Sequence, residues 1–316
     1  MWNTLAMVFG IGCLPLPQED ETDKATVAVL KFNLNADKKK FTIKYGEKED
    51  PVDALKASEA LYDHFVTTLV KSGRFNVVER AKIDEILKQQ QLNDLTNADD
   101  AKKAGEMLGS QYLFQGSVTM LTANVTERDV PDSTEFATRT TEAIVIMDLR
   151  IMDSANGKVV FATSHKQPVK RSRLLKKGGK DAIDGDVNSV ISEGEHLLVK
   201  ELVRKVIDNT FPIKVISQKE EMVYVNRGKD GLKVGDELLV IVEGEELLDP
   251  DSGKVIGREE TEIARIKVFD VQPKFSKAKI VEWKSETKEI AKGALCRRIT
   301  EHSNEGDSPK KPKIGD

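Results

Sequence analysis

The sequence predicts an α/β (α+β) domain with a mixed sheet flanked by helices, followed by a small all-β, barrel-like domain. Three observations predict it. Up to Asn209, short apolar runs alternate with segments of helical spacing, the pattern of helices laid on a sheet. After Pro212, short strands and turns dominate, at the spacing of a compact β domain. The length of 316 residues suits two domains. We expect them at 25–211 and 212–299, behind a leader and linker at 1–24 and ahead of a disordered tail at 300–316 that lacks apolar periodicity.

Each element has its own signal. Ala25 to Phe32 is a short apolar run, a buried strand. Asn33 to Pro51 is polar and Lys-rich, a loop or a poor hairpin. From Val52 the residues Leu55, Leu61, Phe65, Leu69 and Val70 follow helical spacing, and Gly73 closes the helix. Phe75 to Val78 is a short strand. Ile83, Ile86 and Leu87 mark a second helix. Ala98 to Leu108 is a third, with Asp99 and Asp100 at its positive N-terminal end and Gly109 after it. A strand from Tyr112 to Leu121 contains Gly116, where a bulge or a close backbone approach is expected. Thr122 to Glu142 is hydrophilic, and Ala143 to Met152 is a clear strand. Asp153 to Gly157 turns it into a hairpin with Lys158–Thr163. Lys166 to Asp186 is charged and glycine-containing, so a loop is expected. Helical spacing returns through Ile191, Leu198, Leu202 and Val206. The β domain then reads as strands at Ile213–Ser217, Met222–Asn226, Glu237–Val242, Ile263–Val271 and Ala278–Trp283.

Composition excludes several functions. Basic and acidic residues number 49 and 53, so a net charge of -4 gives no pull toward nucleic acid. Aromatic residues are only 5%, too few for a base-stacking platform. The two cysteines, Cys13 and Cys296, form no CxxC pair, which argues against a cysteine-based zinc site. No metal and no cofactor are expected. GxSxG and Walker A patterns are absent, and His196 is not part of an HExxH pair, so no catalytic residue is nominated. A hydrolase is the alternative from a different class.

The N-terminal run Met1 to Gly12 is apolar and too short to span a bilayer as a helix, which takes about 20 residues. It fits the core of an export signal. Cys13 and the acidic linker after it resemble a bacterial lipoprotein signal, in which the cysteine becomes the acylated first residue. No Lys or Arg precedes the run, and Gly10 stands where that pattern prefers Leu.

Five segments in order resemble the CsgG family, which includes the curli secretion lipoprotein and LpoB-type periplasmic lipoproteins. They are Val27 to Phe32, the helix around Leu55–Leu69, Gly73 to Arg80 (GRFNVVER), Gly109 to Thr119, and Leu149 to Val160 (LRIMDSANGKVV). More weakly, Tyr224–Gly228, Gly231–Asp236 and Asp249–Gly257 resemble the C-terminal β module of FlgT-like flagellar proteins. Their glycines and Asp-Pro are turn chemistry, and the Asp249/Asp251 pair lacks the further ligands of a calcium loop.

The resemblance implies a non-enzymatic cell-envelope protein. We expect an outer-membrane-tethered periplasmic assembly or adaptor lipoprotein, in a curli-like production, transport or envelope-assembly system. It implies envelope-protein partners, a membrane anchor at Cys13, and either a monomer or a homo-oligomer. The alternative is a subunit of an oligomeric outer-membrane secretion channel. A crossing strand needs about 9–11 residues with alternate apolar side chains. Neither 122–142 nor 166–186 offers such a face. Lys170, Arg171, Arg173, Lys176 and Lys177 are instead candidates for contact with an anionic partner.

Overall fold

The computed structural model describes residues 24–34, 41–78, 98–177, 183–229, 231–253 and 255–299. The chain divides into two compact units between Val199 and Lys200. The first holds β1 (Thr26–Val29), β2 (Asn33–Leu34), β3 (Phe41–Tyr45), β4 (Lys48–Pro51), α1 (Ala54–Lys71), β5 (Asn76–Val77), α2 (Ala98–Leu108), β6 (Tyr112–Asp129), β7 (Phe136–Asp153) and β8 (Val159–Lys176). Helix α3 (Ile183–Thr210) carries the division point. This is the expected mixed sheet flanked by helices.

The sheet has eight strands and is organised around β6. One edge of β6 pairs in parallel with β1, then β2, then β3. Its other edge pairs antiparallel with β7 along its whole length, and β7 pairs antiparallel with β8. A register shift between Val118 and Met120 keeps this long strand amphipathic. Before it, Phe114, Gly116 and Val118 lie opposite Ile151, Leu149 and Met147; after it, Leu121, Ala123 and Val125 lie opposite Val145, Ala143 and Thr141. One extra residue switches the parity, so a single face stays buried.

That face is covered by α1 and α3. Asp53 caps α1 by accepting from the Lys56 N–H at 3.1 Å, and Gly73, at φ +66°, follows its end. Leu61, Phe65 and Leu69 are fully buried, and Phe65 meets the rings of Phe32 and Phe114 edge-on. The Tyr62 hydroxyl donates to the Val29 carbonyl at 3.1 Å, pinning the helix to β1. Helix α2 covers the opposite face, where Ala104 and Leu108 pack on Ala28, Leu30, Leu113 and Met152. Gly116 answers to a close approach of side chains: a Cβ there would lie 2.5 Å from Met147 Cε and Phe32 Cδ1.

The second unit is a closed barrel of β9 (Ile213–Lys219), β10 (Met222–Val225), β11 (Glu237–Leu248), β12 (Val255–Val271), β13 (Ser276–Trp283) and β14 (Leu295–Arg298). Alternate residues such as Val223, Val225, Leu238, Val240, Ile266 and Val268 fill it. Two features depart from the sequence expectation. The short β14 closes the barrel between β9 and β11. Val242 to Ile263 continues β11 and β12 as strand on either side of a turn.

Cys296 points into this core. Burial pushes its thiol up to about 12. It should therefore resist a thiol reagent in the native protein at pH 8 and react fully once the barrel is denatured. Rapid native labelling of Cys296 would contradict this burial.

Candidate functional site

The basic segment is a strand, not a loop. The expectation of a loop from Lys166 is corrected: β8 runs to Lys176, in continuous register with β7 from Ile151↔Phe161 to Phe136↔Lys176. The hydrophilic stretch from Thr122 is likewise the outer half of β6 and the start of β7, joined by a turn in which Asp132 has φ +61°. Two physical causes override the polar composition. Thr138, Thr140 and Thr141 are β-branched and favour the extended chain. The charges satisfy one another across strands. Arg139, only 6% exposed, donates to Glu127 Oε1 at 2.6 Å, and Lys170 Nζ lies 2.6 Å from Glu142 Oε1.

Strand β8 pairs with β7 alone, so its other edge is open among the described residues. The five candidate residues divide between its two faces. Lys170 and Lys176 lie on the face turned away from α1 and α3. Arg171 lies on the helix side, donating to Ser189 Oγ at 3.0 Å and pairing with Glu193 of α3. Arg173 stands opposite Arg139. Lys177, just past the strand, is 2.9 Å from Asp129 Oδ1. Lys166 and Lys176 form no ion pair with a described residue. Exposed apolar side chains accompany the charges: Leu174 is 61% exposed and Phe136, cross-strand from Lys176, is 37% exposed. This is an amphipathic, cationic edge that can take both carboxylates and a strand.

The structure also groups residues that the sequence left apart. His64 of α1 and His196 of α3 meet with ring centroids 4.0 Å apart and planes tilted by 55°. Burial, and then the charge of His196, lowers the His64 pKa, against a smaller opposing effect of Asp63. Replacing His196 with Asn should raise the His64 titration midpoint, measured by NMR of the ring protons; an unmoved midpoint would remove the coupling. Beside His196, Glu195 is 6% exposed and burial pushes its carboxyl up to about 7. Its position between Ile191 and Leu198, on the apolar spacing of α3, is the signal that would have found it. In the second unit, Asp208 gathers Arg204, Arg227 and Arg298.

Asp249 is used up in its own turn. Its Oδ1 accepts from the Ser252 N–H and hydroxyl, both at 2.7 Å, and from the Asp251 N–H at 3.2 Å. These bonds hold its carboxyl below the usual range. Cys13, the helix expected around Ile83 and the tail from residue 300 lie outside the described residues.

A family model described as "Curli production assembly/transport component CsgG" matches residues 11–228. No curated protein matches the chain. Among solved structures, protein XCC0632 of Xanthomonas campestris is 12% identical, covering 57% of this chain and 82% of its own, with a TM-score of 0.33. The LpoB C-terminal domain of Salmonella enterica is 14% identical, covering 47% and 87%, at 0.27. Lipoprotein GNA1162 of Neisseria meningitidis is 14% identical, covering 58% and 99%, at 0.28. Overlaps of this size assign no partner.

Proposed function

The chain belongs to the CsgG family, and on that premise we propose that it is a non-enzymatic periplasmic lipoprotein, held at the outer membrane through Cys13, that assembles or adapts an envelope transport system. The observation that carries this reading is the family match across 11–228, which takes in Cys13 and runs through the first unit into the barrel. In this reading 25–211 is the family domain. The barrel at 212–299 is an added binding surface, and β8 with Lys170, Arg171, Arg173, Lys176 and Lys177 meets an anionic partner.

Lipidation has a direct test. Mass spectrometry of the mature protein from an envelope fraction should find Cys13 as the first residue, carrying acyl chains. An intact, unmodified Met1 would overturn the anchor. Thiol counting checks it independently: with Cys296 buried, the lipidated protein should show no reactive thiol until it is denatured.

A second reading, a channel subunit, is favoured by one observation. The strands β6, β7 and β8 each have 18 residues, more than the 9–11 or so that cross an outer membrane. Against it stand Lys166, Lys170 and Lys176 on one face of β8, with Arg171 and Arg173 on the other. Each such charge costs on the order of 2–4 kcal/mol at the bilayer midplane. Purified protein should therefore leave planar bilayers non-conducting; stable unitary currents would favour the channel.

A further inference from the structure

The strands β11 and β12 outrun their barrel. β14 pairs with β11 only as far as Ile241, and β13 pairs with β12 only from Ala264 onward. Between these points, among the described residues, the two strands pair with each other alone, from Val242↔Thr261 to Leu248↔Val255. The result is a two-stranded ribbon, each arm about 20 Å long at roughly 3.3 Å per residue. Such ribbons are marginal in water on their own.

The charge of this ribbon adds to the problem. Eight carboxylates fall between Val242 and Glu262 against two basic residues. Glu243 stands directly opposite Glu260, an unfavourable pairing. Glu246 is paired by Arg258 and Glu260 by Arg297, while Glu243, Glu245, Glu259 and Glu262 have no described partner. At the far end Leu247, Leu248 and Val255 are each at least half exposed. An acidic ribbon with an aliphatic tip calls for a cationic surface with apolar residues beside it.

The same chain contains one. Between Lys166 and Lys177 there are six basic residues and no acidic one. This run lies on the open edge strand β8, with Leu174 and Phe136 exposed beside it. The ribbon also has open edges beyond Ile241 and Ala264, so backbone pairing can add to charge pairing. The exposed pairs Lys170–Glu142, Arg171–Glu193 and Lys177–Asp129 are each worth little in water and leave Lys166 and Lys176 unmatched.

We infer that the β11–β12 ribbon of one copy docks along β8 of a second copy, carboxylates on the lysines and arginines and the Leu247–Leu248 tip against Leu174 and Phe136. The contact joins two different surfaces of the same chain, so it repeats head to tail and closes into a ring or extends into a filament. It deepens the reading of β8 as an anionic-partner strand by naming that partner. It fails independently of the anchor, because no outcome below depends on the state of Cys13.

The test uses the full chain in a mild non-ionic detergent. Sedimentation should show assembly at low salt that weakens as the Debye length shrinks from about 10 Å at 0.1 M to 3 Å at 1 M. Glu245→Lys with Glu259→Lys, or Lys166→Glu with Lys176→Glu, should each raise the concentration for half-assembly about tenfold or more; combining all four should restore it. Cross-linking fixes the geometry. With Cys13→Ser in both, a chain carrying Leu248→Cys, mixed with one carrying Leu174→Cys, should give a disulfide dimer that neither yields alone. A monomer at every salt and concentration, assembly indifferent to the reversals, or no mixed disulfide would each overturn the inference.

Discussion

Replacing Glu195 with Gln should stabilise the protein above neutral pH and leave it nearly unchanged in acid. Glu195 lies on the buried face of α3, and burial raises its carboxyl from an ordinary 4.5 to about 7. A carboxyl raised on folding holds its proton longer in the native state than in the unfolded chain. Its full contribution to stability is therefore present below pH 4.5 and is lost as the pH rises through 7. A shift of this size corresponds to about 3 kcal/mol at 1.36 kcal/mol per pH unit. The glutamine variant keeps the shape and cannot ionise. Its advantage should grow from under about 1 kcal/mol at pH 5 to about 3 kcal/mol at pH 8. Denaturant unfolding followed by circular dichroism at both values measures it. An equal offset at pH 5 and pH 8 would mean that Glu195 does not titrate in this window. His64, lowered by burial, acts in the opposite direction: its contribution is full above pH 6.5 and is lost as the pH falls below that value, so it offsets part of the Glu195 effect where the two windows overlap.

Glu195 also illustrates what the sequence could and could not convey. The apolar spacing of α1, the glycine stop at Gly73 and the Asp153–Gly157 turn were legible because each depends on neighbours within a few residues. The outer halves of β6, β7 and β8 were not. Their polar residues mimic a loop until Glu127 is set against Arg139 and Glu142 against Lys170, pairings that exist only in the folded register. The β11–β12 ribbon misled for the same reason: a strand exposed on both faces has no alternation to read. The five basic residues could be nominated from their clustering. That they lie on an open sheet edge, split between two faces, could not.

The largest loss is expected in the second unit, at Asp208. Its Oδ2 accepts from Arg204 Nη1 at 2.9 Å and from Arg298 Nε at 2.8 Å, and its Oδ1 lies 3.4 Å from Arg227 Nη2. Arg204 is a helical neighbour four positions away, but Arg298 lies 90 positions away in the chain, so nothing local announced it. Arg227 is 1% exposed and also donates to the Phe211 carbonyl, while Arg298 donates to Asp236 Oδ2 at 3.2 Å and to the Gly231 carbonyl. Ser276 locks the same segment by donating to the Arg227 carbonyl at 2.6 Å. Asp208→Asn keeps the volume but takes the Asp208 carboxylate away from the buried Arg227 guanidinium, a change worth about 3–5 kcal/mol. The barrel should therefore melt well below its native temperature, with Trp283 fluorescence as the readout. The alternative cause, a general loss of packing, is separated by a second variant. Arg227→Met in the Asp208→Asn background removes the buried charge and should recover much of the loss, because a hydrophobic replacement of similar volume is often neutral. If the double variant is as unstable as the single one, the effect lies in packing around Asp208 and not in the charge that Arg227 buries.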